Sequence, residues 1–72
     1  MTAPANPVYR DPNTVIQARQ SRDGNLTFMA IDVFSGAAVL PLPSRDEASS
    51  VMPFGWELYP VGTAWRARPV RM

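Results

Sequence analysis

The chain has 72 residues, with seven arginines, no lysine, six acidic residues and a net charge of +1, so we expect one small domain. It contains no cysteine, which excludes disulfides and thiolate metal sites, and no histidine, which removes the commonest metal ligand and general base. The charge is too small to predict nucleic-acid binding by itself, although residues 61–72 hold three arginines and no acid.

Residues 1–13 are predicted to form an extended N-terminal arm. Three prolines fix the backbone there and push the preceding residues towards extended geometry. Val8 and Tyr9 are the only sizeable apolar groups of the arm, and we expect them to anchor it on a partner chain or on the protein's own body. The arm lacks the charged-then-apolar layout of a signal peptide.

A hairpin of two strands is predicted over residues 14–20 and 26–34. The first segment has β-branched residues at its start, and a capped helix is the alternative there. We favour a strand because Asp23–Gly24 follows closely, and glycine accepts the positive φ of a tight hairpin turn.

A third strand is predicted over residues 38–43. Pro41 and Pro43 lie within it and lack the N–H that a sheet ladder needs. We therefore expect this strand to lie at an edge of the sheet or to end early.

A short helix is predicted over residues 45–52. Ser44 and Glu47 have the spacing of a capping box, in which each side chain accepts a hydrogen bond from the other residue's backbone N–H. Pro53 follows and ends the helix.

Two further strands are predicted over residues 55–61 and 64–70, joined by a turn at Gly62. The element order β-β-β-α-β-β is that of an OB-like barrel, and an SH3-like barrel or a bent meander fits it equally well. We expect residues 14–72 to form a single, mainly β domain.

Catalysis is not expected from this set of side chains. The possible carboxylate pairs are Asp46 with Glu47, and Asp32 with Glu57, and each has a simpler role in capping a helix or a turn. Glycine-rich phosphate loops and calcium loops are absent from the sequence. We therefore predict a protein that is not an enzyme and that needs no cofactor or metal.

The segment "LTFMAIDVF", residues 26–34, is apolar on both faces of the predicted strand. A strand of a small barrel normally alternates apolar and polar residues. Either the helix or the arm covers the second face, or that face, with Phe28, meets another chain. Val51, Met52 and Phe54 would extend such a patch.

The closing strand places Trp65 on one face and Arg66 and Arg68 on the other. We expect the tryptophan to point into the core and the two arginines to point to solvent. Tyr59 is predicted to share the solvent face, and Arg71 follows the strand. These side chains suit a protein interface, or a stacking platform for single-stranded nucleic acid.

The sequence thus predicts a small module that binds protein, either a different chain or further copies of itself. The predicted contact residues are Val8, Tyr9, Phe28, Tyr59, Arg66, Arg68 and Arg71. An accessory or structural subunit of a larger assembly fits best, such as a phage-type minor virion or decoration protein, or a small phage-encoded regulator of a host protein. The alternative is a barrel that binds single-stranded DNA or RNA. We expect no membrane association, and a cytoplasmic or virion location.

Overall fold

Five strands and one helix make up the computed structural model of the chain, which describes residues 11–71. The elements are β1 (Thr14–Gln20), β2 (Leu26–Asp32), β3 (Ala38–Val39), α1 (Arg45–Ser50), β4 (Trp56–Val61) and β5 (Ala64–Pro69). Residues 1–10 of the predicted arm, with Val8 and Tyr9, lie outside the described residues. All five predicted strands and the helix are present.

The strands form one antiparallel sheet in the order β1-β2-β5-β4. Along one side β2 pairs with β1. Along its other side, β5 pairs with Leu26 and Thr27, and β3 pairs with Ala30 and Ile31. Within residues 11–71 the edge strands β1 and β4 do not pair with each other, so the sheet is open. The mainly β prediction is confirmed, whereas closure into a barrel is not observed.

Tight turns at glycine connect the hairpins, as predicted. Gly24 has a φ of +87° in the turn between β1 and β2, and its N–H donates to the Ser21 carbonyl at 3.0 Å. Gly62 has a φ of +61° at the first position of the two-residue turn between β4 and β5, where a type II′ turn places glycine. These turns fix the register of both hairpins.

The predicted capping box starts α1. The Glu47 N–H donates to the Ser44 hydroxyl, and the Ser44 N–H donates to the Glu47 carboxylate at 2.8 Å. The helix is shorter than predicted and ends at Ser50. The third strand is also shorter than predicted, because it ends at Val39 before the two prolines.

The core lies between the sheet and α1. Leu26 and Phe28 of β2 pack there with two fully buried alanines, Ala48 of α1 and Ala67 of β5. The partly buried side chains around them are Ile16, Met52, Trp56, Leu58 and Trp65. Trp65 therefore faces the core, as predicted. Fully burying a side chain such as Phe or Leu contributes about 1.5–3 kcal/mol.

The apolar character of β2 on both faces follows from its central place in the sheet. Leu26, Phe28 and Ala30 are buried on the helix side, and Ile31 is buried on the opposite side. Within the segment 26–34, the exposed large apolar residues are Val33 and Phe34, in the turn after β2. β2 is thus buried at Phe28 on one face and at Ile31 on the other, while Thr27 and Met29 remain partly exposed.

Candidate interaction surfaces

An apolar groove, here called the Phe54 groove, lies where the chain passes from α1 to β4. It has a volume of about 600 Å³. Its lining residues are Met52, Pro53, Phe54, Gly55, Trp56 and Val70. The Val70 N–H donates to the Gly55 carbonyl at 2.8 Å and ties the end of β5 to this loop. Gly55 has a φ of +86°, a backbone conformation that glycine adopts at little cost.

Phe54 is the most exposed large apolar residue of the described chain, and its ring is fully exposed to solvent. Val70, which also lines the groove, is exposed as well, and so is Val51, three residues earlier in the chain. Single exposed apolar residues are ordinary on protein surfaces, but a contiguous apolar patch usually marks an interaction site. The Phe54 groove therefore has the composition of a docking surface.

A second apolar groove, here called the Leu40 groove, is lined by Leu40, Pro41, Leu42 and Thr63 and also has a volume of about 600 Å³. Leu40 is 77 % exposed. Thr63 belongs to the turn after β4, whereas Gly55 and Trp56 of the Phe54 groove lie at the start of β4. The two grooves thus lie at opposite ends of this edge strand.

A cluster of arginine and tyrosine side chains lies on the sheet face opposite the helix. Tyr59 of β4 stands directly across from Arg66 of β5, and Glu57 stands across from Arg68. The guanidinium carbon of Arg68 lies 4.5 Å from the centre of the Tyr59 ring, and that of Arg66 lies 6.0 Å away. Such distances give cation–π attraction.

Both arginines of this cluster already hold carboxylate partners. Arg66 donates to the two carboxylate oxygens of Asp23 at 3.0 and 2.9 Å, and Arg68 donates to Glu57 at 2.9 Å. The Arg66 side chain is 22 % exposed, and its Nε is buried with no hydrogen-bond partner among residues 11–71. The expectation that Arg66 points freely to solvent is therefore wrong, whereas Arg68 is about half exposed.

Asp23 is a strong acceptor in this cluster. Hydrogen bonds from the Ser21 hydroxyl and the Asn25 N–H, together with Arg66, lower the pKa of its carboxyl to about 2. The Asn25 side-chain amide also donates to the Tyr59 hydroxyl at 2.7 Å. The β1–β2 turn is thereby connected to β4 and β5, so the cluster acts as a structural clamp across the sheet.

The structure brings together only part of the predicted contact set. Tyr59, Arg66 and Arg68 lie side by side, and Arg71 is exposed beyond β5. Phe28 is 3 % exposed and belongs to the core, so it is removed from the surface set. Of the three residues expected to extend a patch on β2, Met52 and Phe54 line the Phe54 groove, together with Trp56 and Val70, whereas Val51 is not part of its lining.

The Leu40 groove was not predicted, although "AVLPLP" contains a signal for it. Pro41 and Pro43 stop the strand and leave the neighbouring Leu40 and Leu42 without ladder partners in the described sheet. Sequence alone does not show that Thr63, more than 20 residues further along the chain, completes the groove.

The candidate acid pairs have local structural partners. Asp32 accepts hydrogen bonds from the backbone N–H groups of Phe34 and Ser35. Glu57 is bound to Arg68, and Glu47 closes the capping box. These carboxylates cap a turn, pair across strands and cap a helix, respectively.

Among residues 11–71, no three acidic, histidine or cysteine side chains come together as a metal-binding group. The one helix of the described part falls far short of the length and apolarity needed to cross a membrane. No family model matches the chain, and neither the curated proteins nor the solved structures include a significant match to it.

Proposed function

We propose that this protein is a non-enzymatic module that docks onto protein chains. The observation that carries the proposal is the Phe54 groove, where a fully exposed phenylalanine lies beside half-buried Met52 and Trp56. Aromatic side chains and methionine are enriched in the cores of protein interfaces. Covering Phe54 would remove its whole ring from water, which favours association.

The proposal of a non-enzymatic role is supported by the residue types and by their contacts. A chain without histidine, lysine or cysteine lacks the usual nucleophile–base pairs. Asp32 accepts hydrogen bonds from a turn, Glu57 pairs with an arginine, and Glu47 caps the helix. None of these contacts aims two acid groups at a shared pocket.

Within this function, we place the protein as an accessory or structural subunit of a larger assembly. A chain of 72 residues without disulfides has a small core and gains stability by binding to another chain. Phage-type minor virion or decoration proteins, and small phage-encoded regulators of host proteins, are examples of this class by analogy. A virion or cytoplasmic location belongs to the same proposal.

The test uses tagged wild-type protein, Phe54→Ser and Phe34→Ser, each purified from the cells that make the protein, and compares the chains that co-purify with them. Wild-type protein should retain a stoichiometric chain, which can be a second copy or a different protein. Phe54→Ser should lose it. Phe34→Ser is the matched control, because Phe34 is 82 % exposed but lies outside both grooves. Equal retention by all three forms would contradict the proposal.

A second candidate function is the binding of single-stranded nucleic acid through Tyr59. This tyrosine lies in one row across the sheet with Arg66 and Arg19, and Arg68 lies against its ring. Stacking platforms combine aromatic and basic groups in this way. The carboxylates that pair Arg66 and Arg68 weaken the attraction for phosphate, so we rank this function second.

Salt dependence distinguishes this second function from protein docking. If three arginines neutralise phosphates of a single strand, the logarithm of affinity should fall with the logarithm of salt concentration at a slope of about −2. An oligonucleotide that shows no binding at low salt would remove the second candidate.

A further inference from the structure

One row of backbone groups on β4 faces outward from the edge of the sheet. Val61 and Ala64 flank the two-residue turn, and the Val70 N–H bonds to the Gly55 carbonyl. Because hydrogen-bonded and non-hydrogen-bonded pairs alternate along antiparallel strands, Glu57, Tyr59 and Val61 direct their backbone groups to β5. Within the described chain, the N–H and C=O of Trp56 and Leu58, and the C=O of Pro60, are therefore directed away from the sheet.

We propose that a second copy of this chain pairs with β4 in antiparallel orientation, with the twofold axis at Leu58. The backbone N–H of Leu58 in each copy then donates a hydrogen bond to the Leu58 carbonyl of the other copy. The Trp56 N–H bonds to the carbonyl of the partner's Pro60, which is the only backbone group that a proline offers. This inference rests on the proposed docking function and names its partner.

The side chains of β4 favour this register over its neighbours. Leu58 meets Leu58, and Trp56 meets the partner's Pro60 on the helix side of the sheet. On the opposite face, Glu57 meets the partner's Tyr59. A shift that places the axis at Glu57 would set two like charges against each other, which is destabilising. A shift that places the axis at Tyr59 would set Trp56 opposite the partner's Gly62, which lies beyond the end of β4 and so outside the strand.

The same pairing brings the two apolar grooves together. Phe54 and Gly62 each lie four residues from Leu58, so antiparallel pairing sets Phe54 beside the partner's Gly62 and the adjoining Leu40 groove. Within one chain β4 separates the two grooves by its six residues, about 20 Å. The ring of Phe54 therefore meets the Leu40 groove of the second copy rather than its own. Twofold symmetry makes this contact twice.

Cysteine cross-linking tests the pairing directly, because the chain contains no cysteine of its own. Two single variants, Glu57→Cys and Tyr59→Cys, are prepared with tags of different size and mixed under mild oxidation. Opposed residues of a non-hydrogen-bonded pair have Cα atoms about 4.5 Å apart, within the range that a disulfide spans. The mixture should form the mixed disulfide as its main linked species, and neither variant alone should link efficiently.

The matched control mixes Glu57→Cys with Gln17→Cys, which lies on the same sheet face in the other edge strand, β1. Thermal melts establish that each variant folds, and sedimentation of wild type and Phe54→Ser gives a readout free of cysteine. Sedimentation should show a dimer for wild type and a monomer for Phe54→Ser.

Equal linking in the control mixture, or no mixed disulfide in the test mixture, would overturn the pairing. If another chain still co-purifies in a Phe54-dependent way, the docking function stands and only the choice of partner is wrong. If Phe54→Ser and wild type co-purify the same chains, the docking function itself fails.

Discussion

Truncation of Phe28 should strongly lower the stability of the isolated chain, whereas truncation of Phe54 should leave that stability almost unchanged. Phe28 is 3 % exposed and packs with Leu26, Ala48 and Ala67. Removing its ring loses the transfer free energy and leaves a cavity, so Phe28→Ala should lower the free energy of unfolding by about 3–5 kcal/mol. A chain of 72 residues has a total stability of only about 4–11 kcal/mol, so this substitution should remove a large share of it.

Phe54→Ala removes the same ring from a fully exposed position and should change the unfolding free energy by less than about 0.5 kcal/mol. Urea and thermal melts followed by circular dichroism, at concentrations low enough to keep the chain monomeric, measure both variants. At about 4–8 °C per kcal/mol for a domain of this size, the two melting temperatures should differ by more than about 10 °C. Similar losses in the two variants would refute the division into core and docking surface.

Three further predictions concern the closing strand and its clamp. Trp65→Ala should destabilise the fold by about 3 kcal/mol in a urea melt, because its ring packs partly against the core; an unchanged melt would place the ring at the surface. Arg66→Ala should cost about 1 kcal/mol through lost side-chain packing, and Arg68→Ala less than about 0.5 kcal/mol; equal costs would contradict the clamp. Because the pKa of Asp23 is lowered to about 2 in the fold, its stabilisation should be complete above about pH 4 and lost as pH falls towards 2. Acid titration of wild type and Asp23→Asn measures it, and identical profiles would count against this role.

The local elements of the fold were predictable because their signals lie within a few residues. Asp23 and Gly24 specify a turn, and Ser44 with Glu47 specifies a helix start, whatever surrounds them. The orientation of Trp65 followed from strand alternation alone. Strand pairing was harder to predict, because β2 pairs with β5 through residues some 40 positions apart in the chain.

The candidate site was less predictable for the same reason. Strand alternation alone predicts that Arg66 faces solvent, because the sequence does not show that Asp23, 43 residues earlier, is its partner. Phe28 was assigned to a surface because the sequence does not show which face of β2 the helix covers. The Phe54 groove was partly predicted, but Val70 joins it only through the hydrogen bond between the end of β5 and Gly55.

The central claim is that the surface around Phe54 is covered by a protein chain when the protein is at work. A photoreactive phenylalanine analogue placed at position 54 tests this most directly, with the same analogue at Phe34 as the control. After irradiation in the cells that make the protein, mass spectrometry should find position 54 joined to one defined protein segment, and our inference places that segment at residues 40–42 or 62–63 of a second copy. Adducts at position 54 that are no more specific than those at position 34, or that involve nucleic acid instead of protein, would contradict the account.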